Sequence, residues 1–148
     1  MKDNYLSVNN ISVVIADDED GVRAVIKDYL NHDKFAIAGE ATDGKEALEL
    51  YNQLKPSIVL LDMEMPLYKG NIALLNILFY DPSAKIIAMT CSGNLDSIID
   101  FVQTGACNYI IKPFKQEELM QVITETIKGY HKQTIYNRLE GELKGLAK

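Results

Sequence analysis

The sequence predicts a doubly wound α/β fold, with a five-stranded parallel sheet covered by helices on both faces. Short apolar runs alternate along the chain with amphipathic stretches. The apolar runs are hydrophobic nearly throughout, which is typical of strands buried on both sides. The amphipathic stretches repeat apolar residues every three or four positions, as surface helices do. This alternation favours parallel strands joined by right-handed helical crossovers.

The first half of the chain contains three of the predicted strands and two helices. The first run, ISVVIA, ends in three acidic residues, after which apolar residues recur at helical spacing. Asp43 is placed to cap the second helix, which stops before Pro56 because a residue that precedes proline avoids the helical conformation. The predicted strands are Ile11–Ala16, Phe35–Ala41 and 57–62, and the predicted helices are 20–31 and 47–54.

The second half continues the same alternation. A short helix is ended by Asp81-Pro82, and a later one is closed by Gly105. The predicted strands are 85–90 and Asn108–Ile111, and the predicted helices are 72–80, a segment from about 94 to 104, and a last helix that starts near Lys115.

The last helical pattern extends towards the end of the chain. No proline interrupts residues 116–148, although Gly129, Gly141 and Gly145 each weaken a helix by up to about 1 kcal/mol. Three interpretations stay open: an extended helix that pairs with a copy or a partner, a linker to an output domain, and a frayed tail. We therefore expect an N-terminal extension at 1–9, one domain at 10–130, and a C-terminal helical extension or linker at 131–148.

Composition excludes several classes of protein. A net charge of −6 supplies no general basic face for nucleic acid, and no apolar run is long enough to span a membrane. The N-terminus lacks the apolar core of a signal peptide. Cys91 and Cys107 have neither zinc-site spacing nor the number needed for a disulfide framework. We expect a protein of the reducing cytoplasm.

Acidic and phosphate-binding side chains stand where predicted strands end. Asp17 and Asp18 follow the first strand, Asp62 ends the third, Thr90 ends the fourth and Lys112 follows the fifth. Ligands of open parallel sheets bind outside the carboxyl ends of the strands. If these strands are neighbours, the five side chains converge on one rim.

The chemistry of that rim suits a divalent cation and a phosphoryl group. Three carboxylates in one small site repel one another, and Mg²⁺ would relieve the repulsion while leaving room for phosphate oxygens. Thr90 can donate to one phosphoryl oxygen and Lys112 can pair with another. A carboxylate can itself be the nucleophile in phosphoryl transfer, which needs positioning and charge neutralisation above all.

These residues together resemble the receiver domains of two-component response regulators, including the single-domain chemotaxis-type regulators. The resemblance covers about residues 10–130, and it implies the flavodoxin-like strand order 2-1-3-4-5. The residues that carry it are Asp17-Asp18, Asp62, Met65-Pro66 with Gly70, Thr90, Gly105-Ala106, Tyr109 and Lys112-Pro113-Phe114.

The resemblance implies a role for each site residue. Asp62 would be the phosphoacceptor. Asp18 would bind Mg²⁺ directly, Asp17 directly or through water, and the backbone carbonyl of Glu64 would add a further ligand. The side chain of Glu64 lies where it can influence the water that hydrolyses the phosphoryl group, so the lifetime of that group is left open.

The resemblance also implies how the switch operates. Thr90 and Lys112 would hold the phosphoryl oxygens, with the Lys112-Pro113 peptide bond in the cis form. The Thr90 hydroxyl would move towards the phosphoryl group, and Tyr109 would move inward into the space that it leaves. The surface formed by the fourth helix, the fifth strand and the fifth helix would change as a result.

The implied partners are a sensor histidine kinase or a histidine phosphotransfer protein as donor, and a downstream protein target or an output domain. A homodimer formed on activation is a further alternative. Such a protein is a phosphoacceptor switch and not an enzyme in the usual sense. Two rivals are a pseudo-receiver that never carries phosphate and a phosphatase with an aspartyl intermediate. The phosphatase class typically has Asp two places after the nucleophile, where this chain has Glu64.

Overall fold

A computed structural model describes residues 11–32, 34–66, 69–129, 137 and 139–141. Within them, five strands alternate strictly with five helices, as predicted. The strands are β1 Ile11–Ala16, β2 Phe35–Ala41, β3 Ile58–Asp62, β4 Ile86–Thr90 and β5 Asn108–Ile111. The helices are α1 Asp20–Tyr29, α2 Gly44–Leu54, α3 Gly70–Tyr80, α4 Leu95–Thr104 and α5 Gln116–Ile127. The predicted extension at 1–9 and most of 131–148 lie outside the described residues.

The strands form one parallel sheet in the order β2-β1-β3-β4-β5, which confirms the order that the resemblance implied. The three central strands β1, β3 and β4 carry the apolar runs. Every residue of β3 and β4 is buried. A strand with helices on both faces needs apolar side chains at odd and even positions alike, which is why these runs do not alternate with polar residues.

Each face of the sheet has its own hydrophobic cluster. Val13, Ile15 and Leu60 point to one face and pack with Ile26 of α1 and Leu119 of α5. The other face packs against α2, α3 and α4, through residues that include Tyr51, Leu74 and Val102. The sheet is thus packed between two hydrophobic layers, and the carboxyl ends of its strands share one edge.

The last of the five helices, α5, ends close to a glycine. α5 stops at Ile127, and Gly129 takes a positive φ of 74°. A glycine in this conformation just past the last turn is a common way of ending a helix, because no Cβ opposes it. Residues 137 and 139–141 are helical again, and the side chain of Leu139 is buried. The C-terminal helical extension or linker expected at 131–148 stays a prediction. None of the helices among the described residues is long and apolar enough to cross a bilayer.

Candidate functional site

The strand ends bring the predicted site residues together. Asp17 follows β1, Asp62 and Thr90 close β3 and β4, and Lys112 follows β5. Because β1, β3, β4 and β5 lie side by side, these residues share one rim of the sheet. Asp17, Asp62 and Thr90 are buried, with exposures of 0%, 2% and 1%. Polar side chains that deep in a fold need specific partners.

The three aspartates form a compact cluster. Asp17, Asp18 and Asp62 each offer a carboxylate oxygen, and the three oxygens lie within 4.8 Å of one another. Asp18 is exposed while the other two are buried, so the cluster is open to solvent on one side. Hard oxygen donors with room for water are the surroundings that Mg²⁺ prefers. The donor set thus fits the predicted cation, and the Glu64 carbonyl stays a prediction as a further ligand.

The surroundings of the Asp62 carboxyl disfavour its charged form. Burial raises its pKa to about 6, and the charge of Asp17 acts in the same direction. The Glu64 amide, which donates to Asp62 Oδ1 at 2.9 Å, and the charge of Lys112 oppose the rise. A bound cation would favour the charged form of this carboxyl, which is the form that can act as a nucleophile.

Lys112 is held between two of the aspartates. Its Nζ donates to Asp17 Oδ2 at 2.9 Å and lies 3.4 Å from Asp62 Oδ1. Burial alone would lower the pKa of Lys112, but the hydrogen bond to Asp17 and the two carboxylate charges outweigh it and raise the pKa. The Lys112-Pro113 peptide bond is cis, as predicted. The ammonium is therefore charged and close to the predicted acceptor.

Thr90 makes a contact that the sequence did not reveal. Its hydroxyl donates to Glu64 Oε2 at 2.8 Å, and the Cys91 backbone amide donates to Glu64 Oε1 at 2.6 Å. The Thr90 hydroxyl also accepts from the Ser92 amide at 3.1 Å. Sequence reasoning placed the Glu64 side chain near the site but gave it no partner, because the loop that positions it follows no periodic pattern.

The side chain of Tyr109, in β5, lies in the hydrophobic cluster that also contains residues of α4. It is 7% exposed and belongs to the hydrophobic cluster that contains Ile98 and Val102 of α4. Leu139, beyond α5, belongs to the same cluster. The ring is thus already largely buried, and its predicted role in the switch stays a prediction.

Two further residues shape the rim. A Cβ added to Gly70 would lie 2.4 Å from the Asp62 backbone oxygen, so only glycine allows α3 to begin against the end of β3. Arg23 donates from Nη1 to the Asp17 carbonyl at 2.6 Å and from Nε to Glu40 at 3.0 Å. Gly70 belongs to the motif quoted above, but its close packing against Asp62 follows no sequence pattern. Arg23 also pairs with Asp20, three residues before it, but its contacts with the Asp17 carbonyl and with Glu40 follow no sequence pattern.

An apolar groove of about 680 Å³ lies beside the rim. It runs between α1 and the segment that follows β5, and Val25 on its wall is 47% exposed. Its lining residues include Val22, Val25, Tyr29, Lys112, Pro113 and Phe114. The groove therefore adjoins the predicted phosphoryl site directly through Lys112.

Comparisons with known proteins agree with this architecture. The family model described as the response regulator receiver domain matches residues 13–124. The chemotaxis protein CheY of Thermotoga maritima is 37% identical over 116 residues, which cover 78% of this chain and 97% of that protein. The CheY of Listeria monocytogenes is 34% identical over 118 residues, which cover 80% and 99%.

Solved structures agree as well. The crystal structure of the CheX–CheY–BeF₃–Mg²⁺ complex from Borrelia burgdorferi matches with a TM-score of 0.78 and 28% identity, over 82% of this chain and 92% of that one. The response regulator domain of Thermotoga maritima CheB matches with a TM-score of 0.74 and 28% identity, over 80% and 96%. Sequence, fold and rim geometry agree, and the chain belongs to the receiver-domain family of two-component response regulators, a family of phospho-signalling switches.

Proposed function

We propose that this chain is a Mg²⁺-dependent receiver in which Asp62 accepts a phosphoryl group from a phosphohistidine on a sensor kinase or a phosphotransfer protein. The observation that carries the proposal is the position of the Asp62 carboxylate. It is buried, it lies 3.4 Å from the Lys112 ammonium, and its oxygen is within 4.8 Å of carboxylate oxygens from Asp17 and Asp18. The CheX–CheY–BeF₃–Mg²⁺ complex from Borrelia burgdorferi supports it, because BeF₃ and Mg²⁺ are both present in that complex.

The proposed reaction is a single in-line displacement. An Asp62 carboxylate oxygen attacks phosphorus, and an O–P bond forms as the P–N bond to the donor histidine breaks. The electrons of the broken bond stay on the imidazole nitrogen, which regains a proton from solvent. In hydrolysis, water attacks the same phosphorus and releases inorganic phosphate, which restores the Asp62 carboxylate. The chain thus assists both its own phosphorylation and its own dephosphorylation.

The surrounding residues stabilise the charge that develops on the phosphoryl oxygens. Lys112 pairs with one oxygen, and the Thr90 hydroxyl donates to another. Mg²⁺, held by Asp17, Asp18 and Asp62 with the Glu64 carbonyl, would supply further charge neutralisation when bound. Asp62 and Thr90 are the last residues of their strands, and the other groups follow a strand within two residues: Asp17, Asp18, Glu64 and Lys112.

The proposed output is a change in the surface formed by α4, β5 and α5. When the Thr90 hydroxyl turns to the phosphoryl group, the packing between β4 and Tyr109 changes with it. A local change of charge then biases a two-state packing arrangement, and a downstream protein or an output domain binds one state more tightly. Dimerisation on activation and a cytoplasmic location stay predictions.

The apolar groove beside the rim offers a place for the donor protein. Half-exposed Val25 and the neighbouring Pro113 and Phe114 form an apolar wall that leads to Lys112. Exposed apolar surface next to a reactive group favours the docking of a protein partner. A docked donor would thus deliver its phosphohistidine to the open side of the aspartate cluster.

Intact-mass spectrometry tests the proposed function. The protein is incubated with acetyl phosphate and Mg²⁺, beside a sample in EDTA and beside Asp62→Asn. We expect the wild type to gain one phosphoryl group only when Mg²⁺ is present, and the variant to gain none while it stays folded. Absence of any gain with acetyl phosphate and with a panel of histidine kinases would favour the pseudo-receiver.

A further inference from the structure

The Glu64 side chain forms a two-pronged contact with the end of β4. One carboxylate oxygen accepts from the Thr90 hydroxyl at 2.8 Å, and the other accepts from the Cys91 backbone amide at 2.6 Å. Glu64 itself lies two residues after Asp62, in the loop at the same rim. A single side chain therefore holds two adjacent donors next to the proposed phosphoacceptor.

These two donors are suited to a phosphoryl oxygen as well as to a carboxylate. A phosphoryl group and a carboxylate both carry negatively charged oxygens, and these oxygens accept hydrogen bonds from hydroxyl and backbone amide groups. A hydroxyl has one proton to donate, and the acceptor side of the Thr90 hydroxyl is already used by the Ser92 amide at 3.1 Å. Thr90 consequently cannot donate to Glu64 and to a phosphoryl group at the same time.

We propose that the Glu64 carboxylate is an internal anion that occupies the phosphoryl-oxygen position of the unphosphorylated site, so that it competes with phosphorylation and holds Thr90 in its inactive orientation. This inference rests on the proposed function of Asp62. Glu64 is exposed, so its side chain can turn into solvent without leaving a buried charge behind. Displacement of Glu64 is then a step of the switch, because it frees the Thr90 hydroxyl.

The competition has a measurable consequence. When only a fraction of the molecules has the anion position open, the apparent affinity for a phosphoryl analogue is the intrinsic affinity multiplied by that fraction. Two charge-assisted hydrogen bonds are enough to keep the open fraction at about one tenth. Removal of the carboxylate should therefore raise the rate of phosphorylation and the affinity for beryllofluoride by about tenfold.

Three substitutions at Glu64 distinguish occupancy of the phosphoryl-oxygen position from repulsion between the Glu64 charge and the incoming phosphoryl group. Glu64→Ala removes both charge and contact. Glu64→Asp keeps the charge but is one methylene too short to reach both donors. Glu64→Gln keeps one acceptor oxygen without the charge. Each leaves the backbone carbonyl in place. Glu49→Ala, at an exposed position of α2, removes the same charge from an element that carries none of the proposed site residues and is the matched control.

The experiment measures the rate of labelling by acetyl phosphate with Mg²⁺, together with beryllofluoride titrations followed at the Cys91 amide by NMR. We expect Glu64→Ala and Glu64→Asp to be labelled about tenfold faster than the wild type, Glu64→Gln to be intermediate, and Glu49→Ala to match the wild type. Beryllofluoride affinities should follow the same order.

Two results would overturn the inference while the proposed function stands. If Glu64→Asp matches the wild type and both neutral variants are equally fast, charge alone is responsible. If all Glu64 variants match the wild type, there is no competition. If neither the wild type nor any variant is labelled or binds beryllofluoride, the proposed function fails, and this inference fails with it.

Discussion

The buried carboxylate of Asp62 lowers the free energy of unfolding when it is charged, although the charged form is the one that can react. Its burial and the neighbouring Asp17 raise its pKa from an ordinary 3.8 to about 6, even with Lys112 close by. The folded protein therefore binds the Asp62 proton more tightly than the unfolded chain does. The stability contributed by this group is fully present below pH 4 and is lost as the pH rises through about 6.

Asp62→Asn should accordingly stabilise the metal-free protein at neutral pH. In EDTA at pH 7, we expect the free energy of unfolding to rise by about 1–3 kcal/mol, because an amide of the same size carries no charge to desolvate. The gain should shrink below pH 6 and vanish near pH 4. Urea unfolding across this range measures it. A variant that is less stable than the wild type at pH 7 would show that the ion pair with Lys112 outweighs burial.

Gly70 is a second residue whose identity the rim requires. Gly70→Ala would press a methyl group against the Asp62 carbonyl and the Met63 Cα, with a closest approach of 2.4 Å. We expect a loss of about 1–3 kcal/mol in the free energy of unfolding and slower labelling of Asp62, since the backbone of the acceptor must shift. Gly21→Ala in α1, where no atom lies within 4 Å, should be neutral or stabilising. Equal effects of the two substitutions would refute the steric argument.

At the scale of elements, the strands were the most predictable part of the chain. ISVVIA and NYII were placed with the bounds that the structure shows, because buried apolar runs of this length are typical of parallel strands. Helix ends were harder. Asp43 was predicted as a cap and does accept from the Glu46 amide at 2.8 Å, whereas the end of α5 depends on the conformation of Gly129, which composition alone does not specify.

The start of α4 depends on one side chain. Asn94 accepts from the Asp96 amide at 2.9 Å and from the Ser97 amide at 3.3 Å. Asn94→Ala should lower the free energy of unfolding by about 1 kcal/mol, because two amides of the first turn lose their acceptor. Asn94→Asp should keep most of the stability. Thermal unfolding of both variants measures the effect, and equal losses would mean that the side-chain oxygen is not what stabilises the helix.

Topology explains why so much of the site could be predicted from the sequence. Once β1, β3, β4 and β5 are parallel neighbours, the side chains at their carboxyl ends meet, so strand order alone groups Asp17, Asp62, Thr90 and Lys112. Strand order does not predict the contact of Glu64 with Thr90. It depends on the path of one loop and on the rotamer of one side chain, and neither follows from strand order.

Cation binding should act on the molecule as a whole. A ligand that binds only the folded state stabilises it by mass action, and relief of the repulsion among the aspartates is the source of that binding. We expect millimolar Mg²⁺ to raise the melting temperature by about 2–5 °C relative to EDTA. Asp18→Asn, at the exposed position of the cluster, should lose most of this shift. Identical wild-type melting curves with Mg²⁺ and with EDTA would count against the site.

The identity of the phosphorylated residue decides whether Asp62 is the phosphoacceptor. The protein is labelled with acetyl phosphate and Mg²⁺, reduced with borohydride, which converts an aspartyl phosphate to homoserine, and mapped by peptide mass spectrometry. We expect homoserine at position 62 and unchanged aspartate at positions 17 and 18. Homoserine at another aspartate, with Asp62 intact, would contradict it.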